Sequence, residues 1–253
     1  MEIAEKKRTQ RSVASQTPFE RSLAKRISKA YAICELLSGS EIYTPRSDID
    51  TIERLREELA LFDILSISFF EAVDNYVDVA LTRKQLFKGA KDGIKETSYE
   101  IKKHVTRDMT SKKPHQDEVK ELYAAIYAQN PLAPPYDFAK PTLDKDLGAF
   151  FLSYSTLFGY FKLLVEKVRK NQSTPETCPF SVTHCETLLL QAENLTKEVE
   201  HLLQKVYVLN EERRYIFEQI KNRCTAICNR SRHVLGSHDD TYKWVNRHRL
   251  SIM

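Results

Sequence analysis

Between Ile52 and His104 the chain carries a stripe of positions at alternating steps of three and four: Leu55, Leu59, Phe62, Ser66, Phe69, Val73, Tyr76 and Ala80, then Arg83, Phe87, Ala90, Ile94, Thr97 and Ile101. That spacing puts every member on one face of an α-helix, which the two-residue period of a strand cannot do. Adding 130 to each number returns the same phase as Val182, Cys185, Leu189, Ala192, Thr196, Val199, Leu203, Val206, Asn210, Arg213, Phe217, Ile220, Cys224, Ile227, Ser231 and Val234. Even the interrupting hydroxyl recurs, Ser66 against Thr196, and Arg83/Arg213, Phe87/Phe217 and Lys91/Lys221 are identities. Two amphipathic helices phase-match somewhere by chance. An ungapped match over roughly 50 residues predicts instead that the chain contains a unit written twice.

The rest of the chain fits that frame. Residues 1–17 show no periodicity and read as a flexible tail. A helix over about 19–38 carries Leu23, Ile27, Ala30, Tyr31, Cys34 and Leu37 on one face, with Gly39 placed for a left-handed cap. Ser47 is a candidate N-cap, followed by Asp48 and Asp50 at the positive helix end. The stripe itself predicts helices over about 48–80 and 83–107, with a tight turn near 80–83 between them. Its echo predicts helices over about 181–208 and 211–235, where Asn210-Glu211-Glu212 resembles an N-cap with an acidic first turn. A fourth helix, about 115–128, carries Val119, Leu122, Tyr123 and Ile126. The Pro- and Asp-containing segment 130–146 reads as a linker. The second copy opens with a helix over about 147–170 (Phe151, Tyr154, Leu157, Phe158, Phe161, Leu164, Val165, Val168), offset from the first by 127. A short helix over about 239–249 ends it, with Tyr242, Trp244 and Val245 packing back on the bundle. The expected fold is all-α: two tandem four-helix bundles from an internal duplication, over residues 18–129 and 147–253.

Bulk properties narrow the function classes. A net charge of +4 is small for a protein that coats nucleic acid, and the short clusters Lys6–Arg8, Lys102–Lys103, Lys112–Lys113, Arg213–Arg214 and Lys243 to Arg249 read as solvated helix faces. Four of the five cysteines, Cys34, Cys185, Cys224 and Cys228, fall on apolar stripes and read as buried free thiols, which suits a reducing compartment. No run of about 18 apolar residues is read in the sequence, so no membrane contact is expected. Met1–Pro18 lacks the apolar segment of a signal peptide. The expected location is cytoplasmic.

Candidate chemistry is sparse. Arg83 and Arg213 stand at matching seam positions where an apolar residue belongs, and are candidates for gripping an anion in each copy. The structural alternative is an arginine bonding terminal carbonyls while its stem packs on Phe87 or Phe217. Glu198 and His201 have the Glu-x-x-His spacing of a bundle metal site, but a di-iron bundle needs two such pairs and further carboxylates; Cys224 and Cys228 are likewise incomplete as zinc ligands. No metal or cofactor is expected, and no phosphate loop, nucleophile elbow or calcium loop is present.

One motif does spell chemistry. Arg232-His233-Val234-Leu235-Gly236-Ser237-His238 is an Arg, a polar residue, four residues and a His, which resembles the signature of HEPN domains, all-α bundles that often act as metal-independent RNases. The resemblance covers seven residues. It implies that Arg232 stabilises charge on a phosphate and that His238 acts as general acid or base, oriented by Asp239, with Lys243, Arg247 and Arg249 nearby for nucleic acid. The same stretch has a structural reading: Gly236 ends one helix, and Ser237 or Asp239 caps the next. With no complete catalytic set, the expected function is a non-enzymatic scaffold or protein-interaction module; the HEPN-like RNase or nucleic-acid-binding bundle is the alternative.

Overall fold

The computed structural model describes residues 12–89, 91–108, 111–172, 174–175 and 178–250. Among them the only regular elements are helices: α1 (Pro18–Ser38), α2 (Ile52–Lys84), α3 (Ile94–Arg107), α4 (Lys113–Ala128), α5 (Leu143–Asn171), α6 (Val182–Leu235) and α7 (Asp240–Arg247). A 3-10 turn precedes α1 and another, Asp48–Asp50, precedes α2; the five-residue π-turn Gln85–Gly89 extends α2. The all-α class follows from the stripes, whose seam positions from Leu55 to Phe87 are buried except for Ser66.

The expected turns near 80–83 and 208–211 do not exist. α2 runs unbroken through Ala80 and Arg83, and α6 is one helix of 54 residues in which Asn210 is a buried seam residue. The physical reason is the absence of any breaker: neither site has a Gly or Pro, and a turn there would take buried seam residues out of phase. The break falls further on, where Gly89 closes the π-turn, Asp92 takes a positive φ of 67° and Gly93 becomes the N-cap of α3. The positions 130 residues later are Gln219 and Arg223. Arg223 forms a two-pronged pair with Glu58 at 2.8 and 3.0 Å, and α6 continues through it.

Contacts divide the chain into two compact units: residues up to Asp74 with those from Gln204 onward, and residues Asn75–Leu203. These are not the sequential segments 18–129 and 147–253, because the uninterrupted helices α2 and α6 each contribute to both units. In unit 1 the core joins Leu23, Ile27, Ile33 and Leu37 of α1, Ile52, Leu55, Leu59 and Phe62 of α2, Phe217, Ile220, Cys224 and Ile227 of α6, and Val245 of α7. In unit 2 the α5 face of Phe150, Tyr154, Leu157, Phe161 and Leu164 is buried with Phe87, Ile94, Ile101, Val119 and Ile126. Each such side chain contributes roughly 1.5–3 kcal/mol by leaving water.

Several local expectations are corrected. Of the 1–17 tail, the described residues are ordered: Ala14 is buried, Ser12 Oγ donates to Asp74 at 2.9 Å, and Thr17 caps α1 by accepting from Glu20 N–H. Residues 1–11, with Lys6–Arg8, lie outside the described residues. Gly39 ends α1 at φ −97°, not in the left-handed region. Ser47 caps the 3-10 turn, not α2 itself, and the Asp50 carboxylate accepts from its N–H at 2.7 Å. The 130–146 stretch packs within unit 2, where Tyr154 Oη donates to the Leu132 carbonyl at 3.0 Å and Phe138 meets Tyr76 edge-on. In α7 only Val245 is fully buried; Trp244 is exposed and stacks on His248 at 3.8 Å. Finally, α5 is long and apolar enough by composition to cross a membrane, with an 18-residue window of mean hydropathy 1.3. The expectation that no such run exists missed it because Lys162 and small polar residues interrupt the apolar letters.

Candidate functional site

Both seam arginines are buried, and they are handled differently. Arg213 on α6 lies in unit 1, its guanidinium carbon 4.1 Å from the centroid of Phe69 and 5.4 Å from that of Phe70. Its Nη2 forms an ion pair with Glu20 in the first turn of α1, while its Nε and Nη1 have no partner among the described residues. Arg83 on α2 lies in unit 2, 3.9 Å from the ring centroid of Tyr154 and 4.7 Å from that of Phe150. Among the described residues its one hydrogen bond is a long one, Nη1 to Thr196 Oγ1 at 3.4 Å. Nε and Nη2 have no partner among the described residues, and no described carboxylate pairs with it. Among the described residues neither arginine bonds a terminal helix carbonyl; the ring faces take that role, as partial solvation of a desolvated cation. Burial pushes both guanidinium pKa values below the ordinary arginine value. Glu20 opposes the shift at Arg213; at Arg83 only the weaker fields of Tyr154, Tyr76 and Glu200 do.

Matching the two units position by position explains the difference. The counterpart of Glu20, at the α1/α5 offset of 127, is Leu147, so the internal carboxylate is missing from unit 2. The counterpart of Phe70 at 130 is Glu200, which is exposed, so that one of the rings around Arg213 has no equivalent on α6; the rings at Arg83 come from α5 instead. In unit 1 the Tyr31 hydroxyl donates to Asp63 at 2.5 Å and bridges α1 to α2. Phe158 and Glu193 occupy those places in unit 2; the phenyl ring offers no hydroxyl, and Glu193 pairs with Lys197 along its own helix at 2.8 Å. A cavity of about 530 Å³ opens there, lined by Arg83, Phe151, Leu152, Tyr154, Ser155 and Phe158 on one side and Glu193, Thr196, Lys197 and Glu200 on the other. Its volume and mostly apolar wall with one convergent cation suit a small organic group. Unit 1 has a pocket of about 270 Å³ beside Arg213, Arg26 and Phe217, on a different face: of its lining only Arg213 corresponds to a residue of the Arg83 cavity.

The other candidates are not assembled into sites. Glu198 and His201 are both exposed, and no group of three metal-ligating side chains occurs among the described residues. Cys34, Cys185, Cys224 and Cys228 are free and buried, and burial pushes the Cys34 and Cys228 thiols up to about 11. Arg232 and His238 are both exposed, on either side of Gly236, which leaves α6 at φ 87°. Asp239 is committed as the N-cap of α7, its carboxylate accepting from Tyr242 N–H at 3.1 Å, instead of orienting His238.

Sequence reasoning found the arginines but not their surroundings. The rings at Arg83 come from α5, far away in sequence, and the buried one there is Phe150, next to the Phe151 that the stripe names. Only the 127 offset, applied to Glu20, could have exposed the missing carboxylate. No family model, curated protein or solved structure matches the chain.

Proposed function

We propose that this chain is a non-enzymatic helical scaffold, an interaction module whose binding centre is an anion receptor at Arg83. The observation that supports it is a fully buried arginine, without a carboxylate among the described residues, on the wall of a 530 Å³ cavity. A desolvated guanidinium with two unpaired nitrogens is costly to keep, and an anionic group from a partner offsets that cost at the moment of binding. The hydroxyls of Ser155 and Thr196 at the cavity donate to carbonyls of their own helices, Glu193 is paired with Lys197, and no histidine lines the wall, which favours binding over catalysis. Free buried thiols support a reducing compartment such as the cytoplasm.

With this goes a duplication in exchanged form: each helical unit takes its first two segments from one copy and its remaining segments from the other. What supports it is that unit 1 holds α1 with the first part of α2 and the last part of α6 with α7, whereas unit 2 holds α5 with the first part of α6 and the end of α2 with α3 and α4. The anion-receptor reading is tested by thermal unfolding in rising inorganic phosphate or acetate, against sodium chloride of equal ionic strength. The parent's midpoint should rise with the anion by ligand linkage, and Arg83→Met should respond no more than to chloride; equal responses in both proteins refute the reading.

A further inference from the structure

Resting on the Arg83 reading, we propose that the anion is a carboxylate carried on an apolar, preferably aromatic, body of small-molecule size. The chain already shows what satisfies this kind of site. At the register-matched Arg213 the counter-ion is a carboxylate, Glu20, and the surrounding space is filled by phenyl rings. Unit 2 has Leu147 in the place of Glu20 and Glu200 in the place of Phe70; Tyr154 and Phe150 flank Arg83, and a cavity lined in part by Glu200 lies beside it. A ligand combining a carboxylate with a ring would restore the arrangement of unit 1.

The wall chemistry agrees with that class. Phe151, Leu152 and Phe158 offer apolar surface, and the Thr196 hydroxyl, already donating to the Ala192 carbonyl at 2.8 Å, keeps lone pairs that hold Arg83 Nη1. A phosphate monoester or nucleotide fits less well: it carries nearly two charges, and the mouth has one free-standing cation, Lys197 being already paired with Glu193, and an exposed carboxylate, Glu200. A single negative charge on an apolar stem matches one arginine and tolerates Glu200. Because Arg83 has no exposed surface, the ligand engages it by a rotation of the long Arg83 side chain toward the cavity, made without breaking an ion pair. The same chemistry comes from two sources, a free organic acid or the terminal carboxylate of a peptide ending in an aromatic residue.

The test is calorimetric titration of the full chain with 4-phenylbutyrate, its uncharged amide, inorganic phosphate, and a pentapeptide ending in phenylalanine as the free acid or the amide. The expected result is binding of 4-phenylbutyrate at least tenfold tighter than the amide, lost in Arg83→Met. Leu147→Glu, which installs the unit 1 counter-ion, should weaken the acid at least tenfold, while Leu147→Met, the control for folding, keeps it. Glu200→Gln should tighten it several-fold. Selective binding of the peptide acid over its amide, without binding of phenylbutyrate, assigns the carboxylate to a peptide terminus and overturns the small-molecule size. Phosphate binding as tightly as the acid, through Arg83, overturns the carboxylate class and leaves the anion receptor standing. No anion binding at all overturns both. If Glu200→Gln abolishes binding, Glu200 is part of the receptor for something other than an anion, and the proposal fails.

Discussion

Replacing the two seam arginines by methionine should move stability in opposite directions. Arg83→Met removes a buried cation whose Nε and Nη2 have no partner among the described residues. Unsatisfied buried groups cost about 1–3 kcal/mol each and more when charged, so the pair costs roughly 2–6 kcal/mol. Against this stand the ring faces of Tyr154 and Phe150, worth about 2 kcal/mol or somewhat more when desolvated. Methionine keeps most of the buried stem and its own flexible packing. The net expectation is a change between zero and about 3 kcal/mol in favour of the variant. Arg213→Met removes the partner of Glu20, whose side chain is only 11% exposed. Breaking a buried pair costs about 3–5 kcal/mol; Glu20 can turn partly to water, and the variant also removes the unpartnered Nε and Nη1 of Arg213, which together place the expected loss at or below the lower end. The assay is urea unfolding followed by circular dichroism, comparing each resolved transition with the parent, since two units need not unfold together. A loss above about 2 kcal/mol for Arg83→Met would refute the reasoning, because it would mean that Arg83 is already satisfied in the unliganded protein.

Three further outcomes follow from the geometry. Burial by itself would raise the Asp50 carboxyl pKa, but the N–H groups of Arg46 and Ser47 and the Ser47 hydroxyl hold it below the ordinary carboxylate value. A depressed pKa contributes stability that is present above the unfolded value of about 3.9 and is lost as pH falls through the folded value; the gap between the parent and Asp50→Asn should therefore be constant above about pH 5 and close below about pH 4, and a gap that persists to pH 2 would contradict this. Phe87→Ala, which deletes a buried ring set edge-on to Tyr154 at 5.3 Å, should cost about 3–5 kcal/mol in a denaturant titration, and Phe217→Ala, 9% exposed, should fall at the bottom of that range; midpoints equal to the parent's would sink the seam assignment. RNA incubated without metal should stay intact with both the parent and His238→Ala; cleavage that vanishes in the variant would make Arg232 and His238 a site after all.

What was legible in the sequence was whatever depends on one helix face. The stripe from Leu55 to Phe87 named the buried seam nearly residue by residue, and it marked the two arginines as out of place there. What was not legible depends on which segments meet. A heptad-like phase is the same whether a helix stops at Ala80 and turns back or continues to Gly89, so the stripe alone leaves open which segment covers which. Only the absence of a breaker at 80–83 and 208–211 favoured continuity, and Asn210 looked like a cap because its burial cannot be read from its letter. The candidate site inherits that limit. Arg83 is a structural oddity until Tyr154, Phe150 and the absence of any carboxylate are placed around it, and those come from α5 and α6. The comparison behind the proposed site is internal: Glu20 at Arg213 against its offset counterpart Leu147, and Phe70 against Glu200. On the proposed duplication, an arginine kept at both positions with its carboxylate at only one of them is what a structural site and a binding site would look like side by side. Leu147→Glu therefore separates the two histories, since it should make unit 2 resemble unit 1, more stable by itself and closed to its ligand.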